Sequence, residues 1–552
     1  MSAQPGEASE SAARLVSRRR YLQWTVATLA GLGASGPVLA ACTSASSPTP
    51  AGGNSGPAAG SAAQAGAAAA PPANVGEWVV AVADEVASMD PASAGGGIGA
   101  GTTTAHLHVF EPLVTFEGQR FTQVPRLAES WRLLDDRTWE FKLRQGVKFH
   151  NGDEFTARDV VYSFDCYRSD KSMIRTYIAE VTDVEAVDPY TLKLTTRGPS
   201  PALLTNLAPV YILPQAAREK AGEDGFASNP IGTGPYRFVE FVRGERLALE
   251  ANPDYWRGAV SPQRLVLRPI ADPTTRAAEL KANGVQIIGG PPLSQLRELD
   301  GNGMTLLPLK GARTIIHAFN TTKKPFDDVR VRQAVNYAVD RDAIIRDILE
   351  GHAEPLHGPF ASAWLGYDPG LAPYAYDPAK ARQLLAAAGY PNGLDTVFNV
   401  SNGVFLRDRD IAEAVASQLA QVGIRVRLLP TERAKLVSDW YDGVFEGITS
   451  AAWGAAADPD PMLGRAFYKT KYHAPDDQLT SLIEQSRRTM NPDQREQVLK
   501  DLGHYIHEQA YWLFIHAQDE FYAKRAEVPW EPSASGQSLA SMRYYATPPV
   551  GV

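Results

Sequence analysis

Trp139-Glu140-Phe141-Lys142-Leu143-Arg144-Gln145-Gly146-Val147-Lys148-Phe149-His150-Asn151-Gly152, followed by Thr156-Ala157-Arg158-Asp159-Val160, is the stretch on which the reading of the fold turns. Trp139, Phe141 and Leu143 alternate with polar neighbours, the period of a half-buried strand. Asp135-Asp136 before it and Asn151-Gly152 after it supply turns. Thr156 with Asp159 three residues on is a capping pair, and Val160, Val161 and Phe164 share one face of the helix that it opens. The same alternation of strand and helix runs outward in both directions. Glu77 to Val82 is rich in β-branched and aromatic residues and predicts a buried strand. Asp377-Pro378 opens a helix carrying Leu384 and Leu385 and closed by Gly389, and Asn491-Pro492 opens another. Ile411, Val415, Leu419 and Val422 form a helical stripe that stops at Gly423, after which Ile424, Val426 and Leu428 alternate as a strand. Helix into strand through a short loop is α/β grammar. No repeat recurs at a fixed period, which argues against solenoids and propellers.

The chain has 552 residues, 44% of them hydrophobic, so two or three packed lobes are expected rather than one core. Its formal net charge is −8. No basic run follows the first two dozen residues, which argues against a nucleic-acid partner. Past the N-terminus no apolar stretch approaches the roughly 20 residues that span a bilayer. The N-terminus itself reads as an export signal: Ser17-Arg18-Arg19-Arg20-Tyr21-Leu22-Gln23, an apolar segment from Trp24 to Val38, then Leu39-Ala40-Ala41-Cys42. The arginine motif resembles a bacterial twin-arginine signal, although the general export route stays open. Leu-Ala-Ala-Cys resembles a lipobox whose Cys42 is acylated. Residues 43–75, nearly all Ala, Gly, Ser and Pro as far as Ala73, read as a disordered tether with a reach on the order of 30 Å. Cys42 and Cys166 are the two cysteines. Lipidation of the first leaves no intrachain disulfide, and Cys166 reads as a buried small hydrophobe.

Enzyme constellations are missing: no G-x-S-x-G elbow, H-E-x-x-H pair or Walker A loop occurs. Gly232-Thr233-Gly234-Pro235 reads as a turn, since Pro follows at once and no third Gly arrives. No ATP hydrolysis by this chain is therefore expected. His504 with His507 and His106 with His108 are each half a metal site with no third ligand nearby, so neither a metal nor a cofactor is expected.

Many ordered motifs resemble the extracellular solute-binding proteins of the peptide and nickel class (family 5) that serve ATP-driven importers. Besides the opening stretch they are Ser88-Met89-Asp90-Pro91, Phe110-Glu111-Pro112-Leu113, Pro125-Arg126-Leu127-Ala128-Glu129-Ser130-Trp131, Ile231-Gly232-Thr233-Gly234-Pro235-Tyr236 and Asn252-Pro253-Asp254-Tyr255-Trp256. Further on come Phe319-Asn320, Pro325-Phe326-Asp327-Asp328-Val329-Arg330-Val331-Arg332-Gln333-Ala334 and Ala338-Val339-Asp340-Arg341. The resemblance implies an α/β, two-lobed periplasmic-binding-protein-like fold (type II, cluster C) with an extra subdomain in the first lobe. Lobe I would comprise 76–116, 228–312 and 511–552, with 117–227 inserted, and lobe II 313–510. Crossovers are expected near Gly311 to Asn320 and Tyr511 to Gln518. Ligand contacts made only in the closed form would drive closure and signal occupancy to the permease.

The resemblance further implies a peptide or similar-sized organic solute as cargo, membrane permease subunits as partners, no catalysis, and a monomer lipid-anchored on the outer face of the cytoplasmic membrane. Peptide-binding members hold the α-amine with an acid shortly after a tryptophan. Here that stretch is Ala452-Trp453-Gly454-Ala455-Ala456-Ala457-Asp458, and the acid is absent at Ala455 or Ala456. A second acidic anchor is replaced by Gly95-Gly96-Gly97. A buried ammonium without a carboxylate costs several kcal/mol, so a sugar, opine or nickel chelate remains an alternative, as does a receptor that does not transport. The expected ligand-binding residues are Trp453, Asn320, Phe319, Arg313, Asp458 and Gly96, with Cys42 for lipidation.

Overall fold

Thr138–Leu143 forms a strand whose Trp139, Phe141 and Leu143 are buried. It pairs antiparallel with Ala128–Leu133 on one side and Thr191–Thr196 on the other, and Val181–Asp188 completes a four-stranded sheet. The helix Ala157–Tyr167 packs beside it, opened by a capping box in which the Thr156 N–H donates to Asp159 Oδ2 at 2.9 Å. The computed structural model describes residues 76–532 apart from 97–98, 118–121, 402–404 and 455–457. The expected signal, Cys42 and the tether lie outside the described residues, as do Ala455 and Ala456. No helix among the described residues is long and apolar enough to cross a membrane.

A second, twelve-stranded sheet forms the backbone of the molecule. Its main path runs Ile424–Thr431, Leu394–Ser401, Ile448–Gly454, Met304–Phe319, His516–Arg525, Ile287–Gly289, Glu77–Val82, Arg264–Pro269, Arg246–Ala251 and Tyr236–Val242. The 16-residue strand Met304–Phe319 joins its halves. Met304 to Leu309 pair with Arg525 to Glu520; the register then shifts, and Arg313 to Phe319 pair with Gly454 to Ile448. Gly311, with φ +56, occupies the break, where a side chain would be strained. Beyond it, alternate side chains feed separate apolar clusters: Ile316 and Ala318 join one with Trp512 and Phe514, whereas Phe319 joins another with Leu513 and Ile515. This is the period of two expressed at the meeting of two crossing strands.

Three motifs distant in sequence converge on one buried carboxylate. Glu111 accepts from Tyr255 Oη at 2.8 Å, Trp256 Nε1 at 2.7 Å and Thr233 Oγ1 at 3.1 Å. Burial pushes its carboxyl upward, opposed by the charge of Arg126 and by these three donors. Gly232 and Gly234 allow the turn beside it: a Cβ at Gly232 would lie 1.9 Å from the Val109 carbonyl oxygen, and one at Gly234 2.5 Å from that of His108. The same turn is tied to the insert by His150, whose backbone N–H donates to the Gly232 carbonyl at 2.9 Å and whose Nε2 donates to the Gly234 carbonyl at 3.0 Å. Asp90 in turn binds the Arg218 guanidinium at 2.8 Å, fixing the Ser88–Pro91 turn to the helix Gln215–Ser228.

One other expectation, on Cys166, is corrected here, and the histidine pairs have protein partners. Cys166 is only partly buried, and its sulfur lies 3.2 Å from Arg218 Nη1, so it is not a plain apolar filler. His106 and His108 sit on the helix Ala100–Val109 and donate to the Ser88 and Thr104 carbonyls. His504 pairs with Asp368 at 2.8 Å and His507 donates to the His357 carbonyl at 2.6 Å.

Candidate functional site

Two loops of the inserted sheet form one wall of a cleft of about 530 Å³, and segments around Trp453 form the other. On the first wall, Thr196 Oγ1 donates to the Gly198 carbonyl at 2.7 Å and the Arg197 N–H to the Glu180 carbonyl at 2.8 Å. The strand ends Val181 and Thr196 are thus locked together, and Thr176 to Glu180 and Arg197 to Ala202 stand side by side over the gap. Prolines at 199 and 201 limit the backbone further.

On the second wall, Ile448–Gly454 delivers Trp453 to the cleft, and the helices Asp460–Ala466 and Asp477–Arg488 add Gly464, Arg465, Arg487 and Arg488. Buried Asp458 and Arg495 clamp these segments together, with Arg495 Nη2 donating to Asp458 Oδ1 at 2.9 Å. Burial alone would lower the Arg495 pKa, but the adjacent Asp458 carboxylate outweighs it and holds the guanidinium above its ordinary value. Arg487 Nε likewise donates to Asp460 Oδ1 at 2.6 Å. Arg465 stands 5.9 Å from the Trp453 ring centroid, and its Nη1 donates to Tyr441 Oη at 3.4 Å.

Of the residues named from the sequence, Trp453 lines this cleft, half-buried and with its ring available to a guest. The others are placed differently. Asp458 is 3% exposed and held by Arg495. Asn320 is fully buried: its Nδ2 donates to the Phe445 and Gly443 carbonyls, and its Oδ1 accepts from Thr322. Its side chain stitches a loop. Phe319 stacks on Phe326 in the core, with ring centroids 4.7 Å apart. Arg313, opposite Gly454 and next to Trp453 in the register, is paired with Glu520 at 2.8 Å. Gly96 is buried, and a Cβ there would meet the Asp90 and Pro91 carbonyl oxygens at 2.3 and 2.5 Å. The arginines of the cleft escaped sequence reasoning; the Gly198-Pro199-Ser200-Pro201 loop was the available signal for a rigid wall.

The family profile of bacterial extracellular solute-binding proteins, family 5 Middle, matches residues 122–474. The chain belongs to this family. It is 30% identical to the glutathione-binding protein GsiB of Pectobacterium atrosepticum over 466 residues, which cover 79% of this chain and 88% of that protein. Among solved structures it resembles the ABC transporter-associated periplasmic binding protein DppA from Helicobacter pylori in complex with the peptide STSA. There the TM-score is 0.71 at 27% identity, covering 84% of this chain and 97% of that one. NikA from Brucella suis in complex with Fe(III)-EDTA gives a TM-score of 0.76 at 26% identity, covering 85% and 100%. The protein is therefore a two-lobed α/β solute-binding protein of the kind that serves ABC importers, in a family that binds substrates rather than converting them. As family 5 solute-binding proteins, its relatives work outside the cytoplasm with membrane permeases.

Proposed function

We propose that this protein captures a peptide or similar-sized organic solute between its lobes and delivers it unchanged to an ABC permease, acting as a monomer held to the outer face of the cytoplasmic membrane through acylated Cys42. The observation that carries the reading is the cleft of about 530 Å³ in which Trp453 faces the inserted subdomain. Its volume falls within the range that encloses small-molecule ligands, roughly 300–1,000 Å³. The lobes divide as 76–116, 228–312 and 511 onward for lobe I, 117–227 for its insert and 313–510 for lobe II. Trp453 is the stacking surface for cargo. Relatives named for glutathione, a tetrapeptide and an iron chelate show how varied the cargo of one architecture is.

Binding to the native state alone raises the unfolding temperature by mass action. Thermal unfolding against a broad library of peptides, opines, sugars and metal chelates is expected to give an upward shift with at least one class. A flat response across the library would count against solute capture. For the anchor, Cys42→Ala is expected to move the protein from the membrane to the soluble fraction; unchanged membrane retention would refute lipidation.

A further inference from the structure

We infer that the solute taken by this cleft is an oligo-anion, bridging Arg197 on the subdomain wall and Arg465 on the lobe II wall. The inference rests on the reading of the cleft as the cargo site and adds the cargo's charge. Arg197, Arg465, Arg487, Arg488 and Arg495 line the gap, against Glu180 and Asp460. Asp458 neutralises Arg495, Asp460 neutralises Arg487 and Glu484 neutralises Arg488. Neither Arg197 nor Arg465 has an acidic partner within ion-pair distance among the described residues. Glu180 is the remaining cleft acid; it is exposed and stands on the same wall as Arg197.

Unneutralised cations on opposing walls repel as the walls approach, and the repulsion grows as water leaves the gap. A guest with a single anionic group would satisfy one wall only. Two or more carboxylate or phosphoryl groups remove the repulsion at both and turn it into attraction, so closure becomes conditional on that guest. Guanidinium suits the task because its planar fork pairs with carboxylate and phosphate through two parallel hydrogen bonds. Arg465 is also held in place between the Trp453 ring and Tyr441 Oη, which limits the ordering cost when a ligand arrives.

The test is calorimetric titration of the mature protein with matched probes. Succinate, citrate and N-acetyl-Asp-Glu are compared with succinamide, N-acetyl-Asn-Gln, trialanine, trilysine and maltose. The tightest binding is expected from an acidic probe, weakened by added salt, with Arg197→Gln and Arg465→Gln each lowering its affinity about ten-fold, the size of a lost charge-assisted hydrogen bond. Both side chains are exposed, so unfolding temperatures of the free variants should match the parent and exclude misfolding as the cause. Tightest binding by a neutral or cationic probe, or acidic-probe affinity that survives both substitutions, overturns the oligo-anion inference and leaves solute capture standing. No heat from any probe overturns the inference, and solute capture falls with it only if the broad thermal library is also flat.

Discussion

Asp458 lies five residues past Trp453, where an amine-binding acid would be sought, yet its environment assigns it another task. A carboxylate 3% exposed, with both oxygens accepting from an equally buried guanidinium, is engaged within the protein. Removing one member leaves the other charged and desolvated, so Asp458→Ala is expected to cost about 3–5 kcal/mol in urea unfolding. A loss below about 1 kcal/mol would mean that the pair is solvated and the acid free for cargo. Trp453→Ala should behave in the opposite way. Half-buried at the edge of its core cluster, the ring contributes less to stability, and its removal is expected to weaken cargo binding about ten-fold, as loss of a stacked aromatic worth about 1–1.5 kcal/mol does. A titration in which Trp453→Ala binds like the parent would remove it from the site.

At the scale of elements, the Gly232–Gly234 turn lies tightly against the end of the helix Ala100–Val109. Gly234→Ala must displace backbone that would otherwise lie 2.5 Å from the new methyl, and a loss of about 1–3 kcal/mol in chemical denaturation is expected. Gly198→Ala, on the cleft wall with nothing within 4 Å, is expected to stay within about 0.5 kcal/mol of the parent. Equal costs would show that the approach is not tight. Local periodicity made most of these elements legible from sequence: Glu77–Val82, Thr138–Leu143, Ala157–Tyr167, Pro378–Ala387, Asp408–Gln421 and Pro492–Glu508 all form where caps and apolar spacing place them. Pairing between elements was not legible. A strand's pattern states that a face is buried but not which partner buries it, so the joining role of Met304–Phe319 emerges only from its register. The same limit explains the site. Arg197 and Arg465 read singly as solvated surface charges, and nothing in sequence brings them to one gap, whereas Phe319 and Asn320, conspicuous at the end of the joining strand, prove to face protein.

Over the whole molecule, buried neutral histidines set the response to acid. Burial lowers His106, His108 and His317 from 6.5 to about 4, and His473 and His516 to about 3. The unfolded chain takes up these protons first, so stability is full above pH 6.5 and falls as pH drops toward 4. Each such group contributes up to about 3 kcal/mol of that loss. Urea midpoints measured across this window should decline steeply on acidification; a flat or rising profile would show that the rings are hydrated in the native state. His317 and His516 lie on the paired strands Met304–Phe319 and His516–Arg525, so the middle of the large sheet, where the proposed closure would hinge, is also sensitive to acid. The most direct test of that closure is a spin-label distance between Thr176→Cys and Gln485→Cys, one on each side of the cleft, in a Cys166→Ser background. With the solute recovered from the purified protein by mass spectrometry added back, the distance should shorten and its distribution narrow. An unchanged distribution while that solute is bound would contradict capture by closing lobes.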